Sequence, residues 1–82
     1  MSVIDQNEIK RIRWRSRRGL LELDIVLERF LARQFDALDQ AELAAYSRLL
    51  DLEDTDFLEV INGKHDLDDA DLMKMVQMLR AV

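Results

Sequence analysis

The residues with most chemistry to offer are Trp14, Arg15, Arg17, Arg18, Gly19, Glu22 and Asp24. Guanidinium groups recognise carboxylates and phosphates, and an aromatic ring among them adds a face on which a base can stack. Six basic residues, Lys10, Arg11, Arg13, Arg15, Arg17 and Arg18, fall within nine positions. The run then breaks at Gly19 and turns acidic at Glu22 and Asp24. Its charge alone leaves three readings open: a solvated face paired within the chain, a patch for an acidic protein partner, or a contact for nucleic acid. Trp14, the sole tryptophan, is expected to be partly buried in the core, with an exposed interface anchor as the alternative.

Other chemistries find no residues to carry them. The chain has no cysteine and one histidine, His65, which leaves no zinc set and no nucleophilic triad. Asp66, Asp68, Asp69 and Asp71 alternate in the manner of a calcium loop. However, Ala70 stands where an oxygen ligand is needed, and the glycine and closing glutamate of such loops are missing. An acid-rich helix start is the simpler reading. Nothing in the sequence reads as an enzyme.

Helices must position these residues. Proline is absent, only Gly19 and Gly63 punctuate the chain, and no segment alternates like a strand. Spacing predicts an all-α, compact five-helix bundle. The first helix is expected from about Asp5 to Arg17, with Ile9, Ile12 and Ser16 on one face and Gly19 as its stop. The second runs from about Leu20 to Phe35, burying Leu23, Val26, Leu27, Phe30 and Leu31. Asp39 and Glu42 form a capping-box pattern for a third helix with Leu43, Tyr46, Leu49 and Leu50 inward. Asp54 or Thr55 is expected to cap a fourth, with Phe57, Leu58 and Ile61 inward and Asn62-Gly63 ending it. Asp68 or Asp69 caps a fifth that carries Leu72, Met73, Val76, Met78 and Leu79. Its methionines, Met73, Met75 and Met78, are read as core filling before a plastic binding groove.

At 82 residues the chain is read as one domain, small enough to bury only about 60–65% of its unfolded surface. The net charge is −5, unevenly spread: residues 1–34 hold eight Lys/Arg and five Asp/Glu, and residues 35–82 hold four and twelve. The acidic part would repel a polyanion, which counts against extensive nucleic-acid wrapping. The acids near Met1–Glu8 do not suit a signal peptide, and no apolar run approaches the ~20 residues of a membrane span. A cytoplasmic protein is the expectation.

Arg17-Arg18-Gly19-x-x-Glu22-Leu23-Asp24, with Trp14 before it and Phe30 after it, resembles the RGxxE signature of the SdhE/CptB (YgfY-like) family. The block from Leu49 to Leu58, with paired leucines and Asp54-x-Asp56, resembles that family's second block, and the chain length and Met-rich last helix agree. The resemblance implies an assembly factor that binds the flavoprotein subunit of succinate dehydrogenase, and of fumarate reductase in some members, and promotes covalent attachment of FAD there. It implies no stably bound cofactor, since the FAD belongs to the partner. Carried onto this sequence, Arg18, Gly19 and Glu22 are the functional signature, with Arg17, Asp24, Arg15 and Trp14 around them in a partner-binding set. Two positions depart from the family pattern: Ser16 where a cysteine is usual and Val60 where a tryptophan is common. An antitoxin-like regulatory or nucleic-acid-binding module acting through the basic first helix is the competing reading.

Overall fold

The computed structural model describes residues 6–82. Five α-helices follow one another, with no strand among the described residues: α1 Gln6–Arg15, α2 Leu21–Arg33, α3 Gln40–Leu49, α4 Asp54–Ile61 and α5 Ala70–Arg80. A 3-10 turn, Phe35–Ala37, links α2 to α3. The expected start of the first helix at Asp5 lies outside the described residues.

All five helices send residues into one core, among them Ile12, Leu23, Leu27, Phe30, Tyr46, Leu49, Phe57, Val60, Met75, Val76 and Leu79, each almost wholly buried. On α2 the fully buried stripe is Leu23, Leu27 and Phe30, with Val26 and Leu31 at its margins. On α5 it is Met75, Val76 and Leu79; Met73 and Met78 pack at the edge, and the methionines serve the core.

Helix ends show why the chain stops and turns where it does. The Asp39 carboxylate accepts from the Glu42 amide, and the Glu42 carboxylate accepts from the Asp39 amide, completing the capping box. Asp69 caps α5 by accepting from the Asp71 and Leu72 amides. These bonds, the one from Leu72 foremost, hold its carboxyl below the usual carboxylate range, with Arg48 on α3 adding to the effect. At the end of α4, Gly63 adopts φ +80°, and its amide and that of Lys64 return to the carbonyls of Val60 and Glu59. This Schellman turn needs the left-handed conformation that glycine adopts without strain. Arg80 fastens the same end from α5, with Nε and Nη2 both donating to the Val60 carbonyl.

Two expectations about helix ends are corrected. Neither Asp54 nor Thr55 caps α4: both lie inside the helix, and Glu53 occupies the cap position without a side-chain bond, while the Asp54 carboxylate accepts from Arg18. The first helix ends at Arg15 instead of running to Arg17, so Gly19 lies in the connecting turn, past the helix end.

Ser16 is the one polar residue of the buried set among the described residues. Its hydroxyl donates to the Ile12 carbonyl at 2.8 Å and lies 2.7 Å from the Tyr46 hydroxyl. A serine has one proton to give, so the Tyr46 hydroxyl is the donor between them. The Tyr46 ring packs against Phe30 and Phe35, with centroids 5.2 and 6.2 Å away. Burial pushes the Tyr46 phenol up from 10.0 to about 12, against smaller opposing pulls from Ser16, Arg18 and Arg13. Val60, the second departure from the family pattern, is likewise buried; both substitutions fall inside the core.

A phenol whose pKa is higher folded than unfolded stabilises the fold fully below pH ~10, and that stability is lost as the pH rises toward ~12. The loss is expected to be on the order of 2–3 kcal/mol. It should be absent in Tyr46→Phe, as read from urea midpoints at pH 9 and pH 11.5. Because Tyr46 is the only tyrosine, phenolate absorbance should report the same transition directly. Equal alkaline losses in both proteins would contradict this account.

Candidate functional site

The junction between α1 and α2 holds every residue of the expected partner-binding set, but their side chains point two ways. One group builds the turn. Arg18 is nearly enclosed, its side chain 14% exposed, and each nitrogen of its guanidinium donates inside the molecule. Nε binds the Asp54 carboxylate at 2.7 Å, Nη1 the Leu50 carbonyl at 2.7 Å, and Nη2 the Leu52 carbonyl. Leu50 and Leu52 lie just past α3, where helix geometry leaves carbonyls without intrahelical partners. One planar cation therefore ties the α1–α2 turn to the α3–α4 turn.

Asp24 works on the same turn from the other side. Its two carboxylate oxygens accept from the Arg18 amide at 2.8 Å and the Gly19 amide at 3.2 Å. Leu20, at the cap position of α2, offers no side-chain acceptor. Gly19 has φ +81°, and a β-carbon built on it would meet nothing within 4 Å. Backbone conformation, and no neighbour within the chain, is what requires glycine there. Arg15 is also committed inward: it reaches the Ser47 hydroxyl and carbonyl and pairs with Asp51.

The other group faces out. Trp14 is 74% exposed, which corrects the expectation of partial burial. Ile12 on α1 and Ser16 just past its end are turned inward, and a residue two positions from each projects away from the core. Leu21, 74% exposed, and Ile25, 40% exposed, were not singled out from sequence. The available signal was their four-residue spacing, opposite the Leu23, Leu27 and Phe30 stripe. Glu22 is exposed, and its side chain makes no hydrogen bond or ion pair among the described residues. It therefore neither caps α2 nor meets Arg18. Arg17 is exposed as well, and only its backbone is bonded, to the Trp14 carbonyl.

The basic run is thus largely spent within the chain. Arg11 pairs with Glu8, Arg13 with Asp36, Arg15 with Asp51 and Arg18 with Asp54. Arg13 also stands over the Phe35 ring, 4.6 Å from its centroid. Four of the six basic side chains of the run thus have a carboxylate beside them, which lowers the net positive charge the run offers a phosphate backbone. No cluster of potential metal ligands occurs among the described residues. No helix there is long and apolar enough to cross a membrane.

The family model described as flavinator of succinate dehydrogenase matches residues 10–82, from the basic run to the last residue. The chain belongs to this family. Among its relatives, the FAD assembly factor SdhE of Pseudomonas aeruginosa is 40% identical over 75 residues, covering 92% of this chain and 89% of the relative. FAD assembly factor SdhE of Pseudomonas putida is 34% identical over 77 residues, covering 94% of this chain and 92% of the relative. The protein of that name from Legionella pneumophila is 35% identical over 77 residues, with 94% and 96% covered. Membership agrees with the RGxxE resemblance, and the geometry divides that signature into a framework arginine and glycine and an outward glutamate.

Removing the Arg18 guanidinium strands two carbonyls and a carboxylate. Arg18→Met is expected to destabilise the fold by about 2–4 kcal/mol, lowering Tm by roughly 10 °C or more, with Arg18→Lys intermediate. Gly19→Ala should cost only ~1–2 kcal/mol, from the left-handed backbone alone, and Gly19→Asn less. Thermal unfolding followed by circular dichroism distinguishes these; an Arg18→Met protein as stable as the parent would refute the clamp.

Proposed function

We propose that this protein binds the flavoprotein subunit of succinate dehydrogenase and promotes covalent attachment of FAD to it, without catalysing the reaction itself. One observation carries the reading: the large exposed hydrophobics among the described residues, Trp14, Leu21 and Ile25, all fall in residues 14–25, the stretch that contains the family signature. Exposed apolar side chains beside charged groups mark protein-binding surfaces, and tryptophan is a frequent anchor of them. Glu22 stands among them with its carboxylate unengaged, ready to orient a cationic or hydrogen-bonding group of the partner.

Covalent flavinylation is chemistry of the isoalloxazine ring and of a nucleophile in the flavoprotein. A helical partner contributes by binding the attachment-competent conformation more tightly than others, and the equilibrium shifts by that difference in affinity. Arg18, Asp24 and Gly19 act as positioning residues that fix the turn; Trp14, Leu21, Ile25 and Glu22 make the contact. Fumarate reductase, whose flavoprotein also carries FAD, is a second client under this reading, and the bacterial cytoplasm is where such subunits would be met.

The test is reconstitution of the apo-flavoprotein subunit with FAD, followed by in-gel flavin fluorescence after denaturation. Trp14→Ala and Glu22→Gln are expected to slow attachment about tenfold or more while leaving Tm within a few degrees. Attachment that proceeds equally fast without this protein, or with both variants, would dismiss the proposal.

A further inference from the structure

Between α1 and α2 lies an open cleft of about 300 Å³, lined by Arg13, Ser16 and Arg17 on one side and Glu28, Leu31 and Ala32 on the other. Its α2 wall continues the outward stripe of Leu21 and Ile25, since residues 21, 25, 28 and 32 recur at helical spacing on one face. Its α1 wall carries two guanidiniums in different states. Arg13 is held by Asp36 and the Phe35 ring. The Arg17 side chain has no hydrogen bond or ion pair among the described residues, although Glu28 lines the opposite wall. Arg11, Arg13, Arg15 and Arg18 all found carboxylates within the chain; Arg17 did not.

We infer that this cleft is a second contact site for the partner, in which Arg17 receives an aspartate or glutamate side chain whose aliphatic stem lies against Leu31 and Ala32. The inference rests on the proposed function for the partner's identity and extends the interface along α2. Geometry decides the ligand class. Arg13 is already paired with Asp36, so Arg17 is the guanidinium of the cleft left to receive a ligand, and its planar fork matches a carboxylate in two parallel hydrogen bonds. The apolar floor suits a side chain with methylene groups.

The experiment measures binding of the purified apo-flavoprotein subunit to the full chain by calorimetry at low and moderate salt, with circular dichroism confirming the fold of each variant. Arg17→Gln is expected to raise Kd about five- to tenfold and to flatten its salt dependence. Arg17→Lys should recover part of the loss, and Glu28→Gln should leave affinity equal or improved. Parent protein that binds while Arg17→Gln binds equally well would overturn this site and leave the proposed function standing. Parent protein that fails to bind would overturn both. An Arg17 effect that appears only when FAD is added would assign the guanidinium to the flavin pyrophosphate and overturn the carboxylate assignment.

Discussion

Arg18 is the fastening on which the arrangement of this molecule depends. Its guanidinium spans the gap between two turns far apart in sequence, giving hydrogen bonds to carbonyls past α3 and to a carboxylate at the start of α4. Without such a donor, those carbonyls would need water at a place that is largely enclosed. With it, the α3–α4 turn is held against the chain segment that presents Trp14, Leu21 and Glu22. Arg80 repeats the solution at the end of α4. A small bundle with few layers of apolar packing gains order where long arginines tie together helix ends that the core does not reach.

The RGxxE signature is therefore not a set of three equivalent contacts. Arginine and glycine shape the turn, and glutamate is displayed on it. Loss of activity on changing Arg18 or Gly19 would accordingly have a different cause from loss on changing Glu22. In the first case the surface is no longer presented; in the second a contact is missing. The exposed apolar residues around Glu22 belong to the displayed group, although two of them lie outside the signature.

Most of the helices were legible in the sequence. Asp39 with Glu42, Asn62 with Gly63, and the Leu23, Leu27 and Phe30 stripe each announced local geometry, because caps and helical spacing act over a few residues. Long-range pairing was not legible. That Asp54, in the first turn of α4, would serve Arg18 depends on two turns meeting in space, and no local spacing encodes it. Trp14 departs from the expectation of partial burial because size and apolarity favour burial only on average, whereas here Ile12 on α1 and Ser16 just past its end take the inward positions. The same wheel argument applied to Leu21 and Ile25 would have marked them as outward.

The turn at residues 17–19 also has a consequence for anions. The successive amides of Arg18 and of the left-handed Gly19 converge on one carboxylate, as successive amides do on the anions that backbone nests capture elsewhere. In this protein both amides, Arg18 and Gly19, are already satisfied by the Asp24 carboxylate. The chain carries its own counter-anion, at the fourth residue of α2 and covalently tethered. The turn is thus closed to phosphate competitors before any partner arrives, and what it offers outward is side chains and carbonyl oxygens.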